Sequence, residues 1–152
     1  MKIRKFKPTD LEIFLVFARE FYATDSVSKP IPPNHMKQAF EEIVADSPYI
    51  DGFIIEVDSK PAGYAILCYT YSMEGGGMVA ILDELYIAEA FQGKGLGTAF
   101  LEYMKTHLSE GIKTFRLEFV SNKAHLQKLY ERMGFEISEY SSMIHPSSTD
   151  SD

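Results

Sequence analysis

Several things are scarce in this sequence, and each scarcity excludes something. There is a single cysteine, Cys68, inside the apolar run AILCY. No internal disulfide can form, and a small buried apolar residue is the default reading of that thiol. Basic residues are in deficit: 15 Lys and Arg stand against 22 Asp and Glu, a net charge of -7. That balance is unsuited to gripping nucleic-acid phosphates through a broad basic face and suits a cationic small molecule better. No stretch approaches the ~18 uninterrupted apolar residues of a membrane span. The opening MKIRKFKPTD also lacks the apolar run of a signal peptide. His107, His125 and His145 show no metal-ligand spacing with one another. These absences give the expectation of a soluble, cytoplasmic protein with no nucleic-acid partner, no membrane partner and no metal.

What the sequence does have is apolar and aromatic mass. It is 45% hydrophobic with 11 Phe and 9 Tyr, which argues for a packed core and against disorder. Its 152 residues suffice for one domain. We expect that domain over residues 1–145, with a disordered Pro/Ser-rich tail at 146–152. Residues 2–7 alternate imperfectly and predict a short strand. Thr9 and Asp10 after Pro8 look like a helix N-cap. Ile13, Phe14, Phe17 and Phe21 recur at helical spacing within Leu11–Tyr22. The proline-rich SVSKPIPPN predicts a shaped loop, and Met36–Ala45 a second helix. GFIIEV (52–57) and AGYAILCYTY (62–71), separated by the turn formers of DSKPAG, predict a hairpin. MVAILDELYI (78–87) extends it to a meander. A helix over 98–108, a strand over 114–120, a helix over 124–133 and a last strand over 135–144 follow. The order β-α-α-β-β-β-α-β-α-β, with no internal repeat, predicts a mixed α/β fold: a mostly antiparallel sheet flanked by helices, with one βαβ crossover in its second half.

The chemistry concentrates in QGKGLG, residues 92–97. It lies between a strand and a helix, where the first backbone N–H groups of the helix have no internal partner and the helix dipole favours an anion. Glycines let bare backbone approach a ligand, and Lys94 adds a cation. A phosphate or pyrophosphate is the natural guest. A Walker loop would need Ser or Thr directly after the lysine step, and a Rossmann fingerprint would need G-x-G-x-x-G after the first strand of a doubly wound sheet. Neither context is present.

The stretch LYIAEAFQGKGLGTAFL resembles the acetyl-CoA signature of the GNAT superfamily of N-acetyltransferases, whose loop reads Gln/Arg-x-x-Gly-x-Gly/Ala. Gln92, Gly95 and Gly97 match it. NKAHLQKLYERMGF (122–135) resembles the superfamily's later motif, an Asn after the fifth strand and Leu-Tyr-Glu-Arg-x-Gly-Phe at a helix end. The resemblance covers residues 3 to 144 and agrees with the element order.

That resemblance implies direct acetyl transfer from acetyl-CoA to an amine, without an acyl-enzyme. It assigns the pyrophosphate to the backbone amides of Gln92, Gly93, Lys94, Gly95, Leu96, Gly97 and Thr98. The pantetheine arm falls to the main chain of Leu85, Tyr86 and Ile87 and to Asn122. Tyr130 stands at the position of the general acid that protonates the leaving thiolate. An adjacent pair of acids, Asp83 and Glu84, interrupts an otherwise apolar strand. Burial raises carboxyl pKa values, which suits a base. Adjacent strand residues face opposite sides unless a bulge intervenes. The resemblance puts the base four residues before Ile87, at Asp83, with Glu84 as the second choice or as a ligand for the acceptor's positive charge. The acceptor would be covered by the first helices and their loop, where Tyr22, Asp25 and His35 could line the pocket. Tyr64, Tyr69 and Tyr71 could face core or pocket. A small cationic amine is the expected acceptor. A protein N-terminus or lysine is one alternative, and a non-catalytic acyl-CoA-binding module is another. Dimers are common in that superfamily, so a homodimer enters as an expectation of the resemblance.

Overall fold

In the computed structural model, residues 1–25, 27 and 29–147 are described. Ser26 and Ser28 of the proline loop, and the end of the polar tail from 148, lie outside the described residues. The chain divides into two compact units, Met1–Val120 and Ser121–Asp152.

The first unit is a five-stranded sheet in the order β1-β2-β3-β4-β5. Its strands are β1 (Lys2–Lys5), β2 (Ile50–Val57), β3 (Lys60–Ser72), β4 (Gly77–Ile87) and β5 (Ile112–Leu117). The first three pairings are antiparallel and β4–β5 is parallel. The parallel step is made by the crossover helix α3 (Leu96–His107), as a parallel pair requires. The helices α1 (Leu11–Tyr22) and α2 (Pro33–Val44) precede β2. Helix α1 has the bounds its periodicity predicts. Helix α2 begins earlier than expected: Pro33 occupies its first turn, where a missing N–H costs nothing and the fixed φ is already helical.

The sheet is covered on both faces, which explains why β2 and β3 read as continuous apolar runs and not as alternation. Phe14, Phe17 and Ala18 of α1 and Met36, Phe40 and Ile43 of α2 pack with Phe6, Ile54, Tyr64 and Ile66. Phe14 meets Tyr64 edge-on at 5.3 Å and stacks near Phe40 at 5.7 Å. On the other face Phe53 lies 5.9 Å from Phe100 of α3.

Two expectations are corrected. Asp10 makes no side-chain cap bond to α1; its carboxylate instead turns back over the preceding 3-10 turn Pro8–Asp10. It is buried and accepts two bonds from the Arg4 guanidinium, at 2.8 and 3.0 Å, and the Lys7 N–H at 2.6 Å. Arg4 also reaches Glu56 at 2.7 Å. A carboxylate with a guanidinium partner within reach gains more from that fork than from a neutral amide. Second, residues 135–144 form no strand. Their alternation gives β propensity, but a strand exists only through a ladder partner. Here Ile137, Met143 and Ile144 are exposed, outside the five-stranded sheet.

The second unit holds α4 (Ala124–Arg132), ended at Gly134, whose φ of 89° is left-handed. Among the described residues no helix is long and apolar enough to cross a membrane.

Candidate active site

The site in the first unit is built on the difference in length between two neighbouring strands. The β4–β5 ladder ends at the pair Leu82↔Leu117, while β4 continues beside β3 to Ile87. Residues 83–87 therefore have a strand on one side only. In an antiparallel ladder alternate residues direct both N–H and C=O to the same neighbour. Ala88 N–H bonds Ala62 O at 2.8 Å. The Tyr86 carbonyl is turned toward β3, so close to Gly63 that a Cβ there would lie 2.2 Å from it. Leu85 and Ile87 thus direct their main-chain groups to the open edge, whereas Tyr86, expected to share that task, gives its main chain to β3. The Gln92 side-chain amide donates to Ile87 O at 2.8 Å. What remains at the edge is the N–H and C=O of Leu85 and the N–H of Ile87.

The strand runs through a 3-10 turn, Glu89–Phe91, into the glycine loop. Gly93 (φ 73°) and Gly95 (φ 76°) are left-handed, and a Cβ at either would meet nothing within 4 Å. Backbone conformation and not crowding is what calls for glycine there. Gly95 is the N-cap, and α3 begins at Leu96, two residues before the sequence expectation. Leu96, Gly97 and Thr98 thus form the first turn, with amides that have no upstream carbonyl partner. Lys94 folds back over the Phe91 ring, 5.3 Å from its centroid, and donates to Ala90 O at 3.4 Å. Open amides at a helix N-terminus, beside an open strand edge, fit a pyrophosphate followed by an amide-bearing chain.

The acids of β4 occupy different surroundings. The β3–β4 register skips one residue: Ile66 pairs with Glu84 and Leu67 with Leu82, leaving Asp83 as a bulge. Asp83 is exposed, with no ion pair among the described residues. Partial desolvation and then the charge of Glu118 push its carboxyl up. Its charge reaches Tyr22 and Cys68, on the α1 side of the sheet. Glu84 is buried. Its Oε1 accepts the Tyr22 hydroxyl and its Oε2 the Tyr64 hydroxyl at 2.9 Å. Burial raises the Glu84 carboxyl, and the two phenols oppose that rise. Burial first, then Asp83 and Glu84, push the Cys68 thiol up to about 11, so it stays a thiol at neutral pH.

Tyr22, the last residue of α1, is brought to Glu84. Asp25 is exposed in the turn beyond it, and His35 is exposed in the first turn of α2, its N–H on Pro32 O. Tyr64 is wholly buried, Tyr69 donates to Asp51 at 3.0 Å, and Tyr71 is exposed. Sequence reasoning missed Glu20, which accepts the Tyr86 hydroxyl at 2.8 Å, and Glu118. No local signal marks Glu20, because its partner is 66 residues away.

In the second unit Tyr130 is half-buried on α4, in edge contact with Phe135 at 6.3 Å. Burial raises its phenol, which keeps it protonated and able to donate. Asn122 is exposed, and the N-cap of α4 is Lys123. Among the described residues no group of three or more His, Cys, Asp or Glu is placed to hold a metal.

Residues 49–137, more than half of the chain, match the family described as an acetyltransferase (GNAT) domain. Over 57 residues the sequence is 42% identical to the spermine/spermidine N(1)-acetyltransferase of Bacillus subtilis (strain 168). That stretch is 36% of this chain and 38% of that protein, so well under two thirds of the relative is covered. A possible acetyltransferase from Clostridium difficile 630 superposes with a TM-score of 0.83 at 17% identity, over 97% of either chain. AAC(6')-Iy in complex with the bisubstrate analog CoA-S-monomethyl-acetylneamine superposes with 0.77 at 17% identity, over 97% of this chain and 98% of that one. At these identities the structural likeness establishes the fold.

Proposed function

This chain belongs to the GNAT acetyltransferase family, and from that premise we propose that it transfers acetyl from acetyl-CoA to a primary amine of a small cationic acceptor. The observation that carries the reading is the open edge of β4 running into the glycine loop, with an exposed carboxylate, Asp83, that has no ion pair among the described residues, where that edge begins. The similarity to a spermine/spermidine acetyltransferase supports a polyamine-like acceptor.

The residues fit the cosubstrate. Amides of the Gln92–Thr98 loop and helix start would hold the pyrophosphate, and Leu85 and Ile87 the pantetheine arm, with Asn122 assigned to it by resemblance. Acetyl-CoA, when bound, supplies the thioester whose acyl group moves. Asp83 takes a proton from the acceptor's ammonium, so that the nitrogen lone pair is free to attack. The Leu85 and Ile87 N–H groups are fixed donors that can polarise a carbonyl at the edge. Tyr130, by the same resemblance, donates its phenolic proton to the thiolate as the C–S bond breaks, the nitrogen gives up its second proton to solvent, and the phenolate takes one back from it. No cysteine nucleophile is needed, in keeping with the protonated Cys68.

The test is thiol release from acetyl-CoA across a panel of polyamines, aminoglycosides, amino-acid amides, and peptides with a free lysine or N-terminus. Multiply charged small amines should give the highest kcat/KM. A peptide as the best acceptor would overturn the small-amine reading, and tight CoA binding with no thiol release on any amine would overturn the enzyme. On the best acceptor, Tyr130→Phe should lower kcat by about 10²-fold, the smaller end of general-acid effects. Unchanged turnover would remove Tyr130 from the chemistry.

A further inference from the structure

Glu84 can be read from sequence as a reserve base or as a ligand for ammonium; its surroundings assign it a different role. Each carboxylate oxygen already accepts a phenol, Tyr22 from α1 and Tyr64 from β3. Only 8% of Glu84 and none of Tyr64 is exposed. A base must reach the proton it abstracts, directly or through one water, and this one is walled off by the two hydroxyls it holds. A buried charge gives little net stability, so what it orders matters more.

What Glu84 orders is the end of α1. Tyr22 is the last residue of that helix. Two residues earlier Glu20 accepts the Tyr86 hydroxyl at 2.8 Å, and Tyr86 lies two residues beyond Glu84 on β4. The bonds cross: a tyrosine of α1 meets a glutamate of β4, and a glutamate of α1 meets a tyrosine of β4. Phe21 fills the space between them, edge-on to Tyr22, Tyr64 and Tyr86 at 5.2, 6.3 and 6.4 Å. The residue framed by Glu84 and Tyr86 is Leu85, whose main chain faces the open edge. The chain leaving Tyr22 becomes the loop that carries Asp25 and the prolines. The titratable groups facing Glu84 are Tyr22, Tyr64, Cys68 and its neighbour Asp83.

We propose that Tyr22–Glu84 and Glu20–Tyr86 form a crossed latch in which Glu84 is a positioning residue, holding Tyr22 and the start of the acceptor loop against β4 and leaving proton transfer to Asp83. The proposal rests on the transferase reading above. It is tested with Glu84→Gln, Tyr22→Phe and the double variant. Tyr22→Phe keeps the ring packing and guards against a Glu84 variant that fails to fold. Each single change should raise the KM for the acceptor about tenfold, the effect of one hydrogen bond to a charged group. The KM for acetyl-CoA should stay near that of the parent, and the acidic limb of kcat/KM should remain. The double variant should lose no more than the worse single one, as expected of coupled partners. Additive losses would dissolve the latch, and loss of kcat together with the acidic limb in Glu84→Gln would make Glu84 the base. One readout needs no turnover. In the protein labelled with 13C at the tyrosine ring, Tyr22 should titrate above the ordinary phenol range, because of burial and then the bond to Glu84, and should move back toward that range in Glu84→Gln. A Tyr22 that titrates normally in the parent protein would overturn the latch whatever the fate of the transferase reading.

Discussion

Replacing Asp83 by asparagine is expected to lower kcat by about 10²- to 10⁴-fold, the range one general base contributes. The fold should be unaffected, because Asp83 is an exposed bulge residue with no ion pair to lose among the described residues. Desolvation and Glu118 raise its folded-state pKa above 3.8. Two consequences follow from that direction. A base works only when deprotonated, so kcat/KM should rise with pH through a value above the ordinary aspartate one, and this limb should vanish in Asp83→Asn. A raised carboxyl also favours the folded state below its unfolded pKa and loses that contribution as pH rises through the folded value. Neutralising it should therefore leave melting at pH 7 unchanged or slightly higher. Steady-state profiles and calorimetric melts of the two proteins check both points. Turnover of Asp83→Asn within about twofold of the parent, across a range where 10²-fold is expected, would move the base elsewhere.

The second large effect is on stability. Arg4→Ala should destabilise the protein by about 2–3 kcal/mol. This lies between the values for exposed pairs and for breaking a fully buried one, since these side chains keep some contact with water. Arg4 is the one cation bonded to both Asp10 and Glu56 among the described residues, with 17%, 8% and 14% of the three side chains exposed. Without it Glu56 loses that ion pair, and Asp10 loses its guanidinium fork and keeps the Lys7 N–H. Melting should fall by roughly 5–10 °C for a chain of this size. The sign with pH is opposite to that at Asp83. Burial pushes the Asp10 carboxyl up, but the bonds and charges of Arg4 and Lys7 outweigh it and hold it below 3.8. Its contribution is present above the unfolded value and lost as pH falls through the folded one. The gap between the parent and Arg4→Ala should therefore narrow in acid, and thermal melts at neutral pH and at roughly pH 3, below the reference carboxyl values, measure it. A gap that is unchanged in acid would mean that the loss comes from packing of the arginine stem.

The elements that could be read from the sequence share one property: their information is local. Helix α1 has the bounds its Phe spacing implies, and the meander follows from apolar runs separated by turn residues. The Gln92–Gly97 segment reads as backbone bared before a helix because the left-handed conformation at Gly93 and Gly95 is a property of single residues. Where local propensity met a distant partner, the partner prevailed. Asp10 has the chemistry of a cap for α1, but its carboxylate turns back to Arg4 and the Lys7 N–H. Residues 135–144 alternate like a strand, but a strand needs a ladder partner that no local pattern supplies.

The sequence by itself determined the order of the elements as far as α4 and, through a loop motif and a helix motif, the resemblance to a CoA-using family. The tertiary structure decided which of two adjacent acids is available. A one-residue slip in the β3–β4 register turns Asp83 out of the ladder, and two phenols from α1 and β3 enclose Glu84. The physical reason is range. A backbone dihedral or an amphipathic face is set by neighbours a few residues away. Register, a strand edge left open by the end of β5, and the partners of a buried carboxylate depend on segments about 20 to 66 residues apart meeting in space.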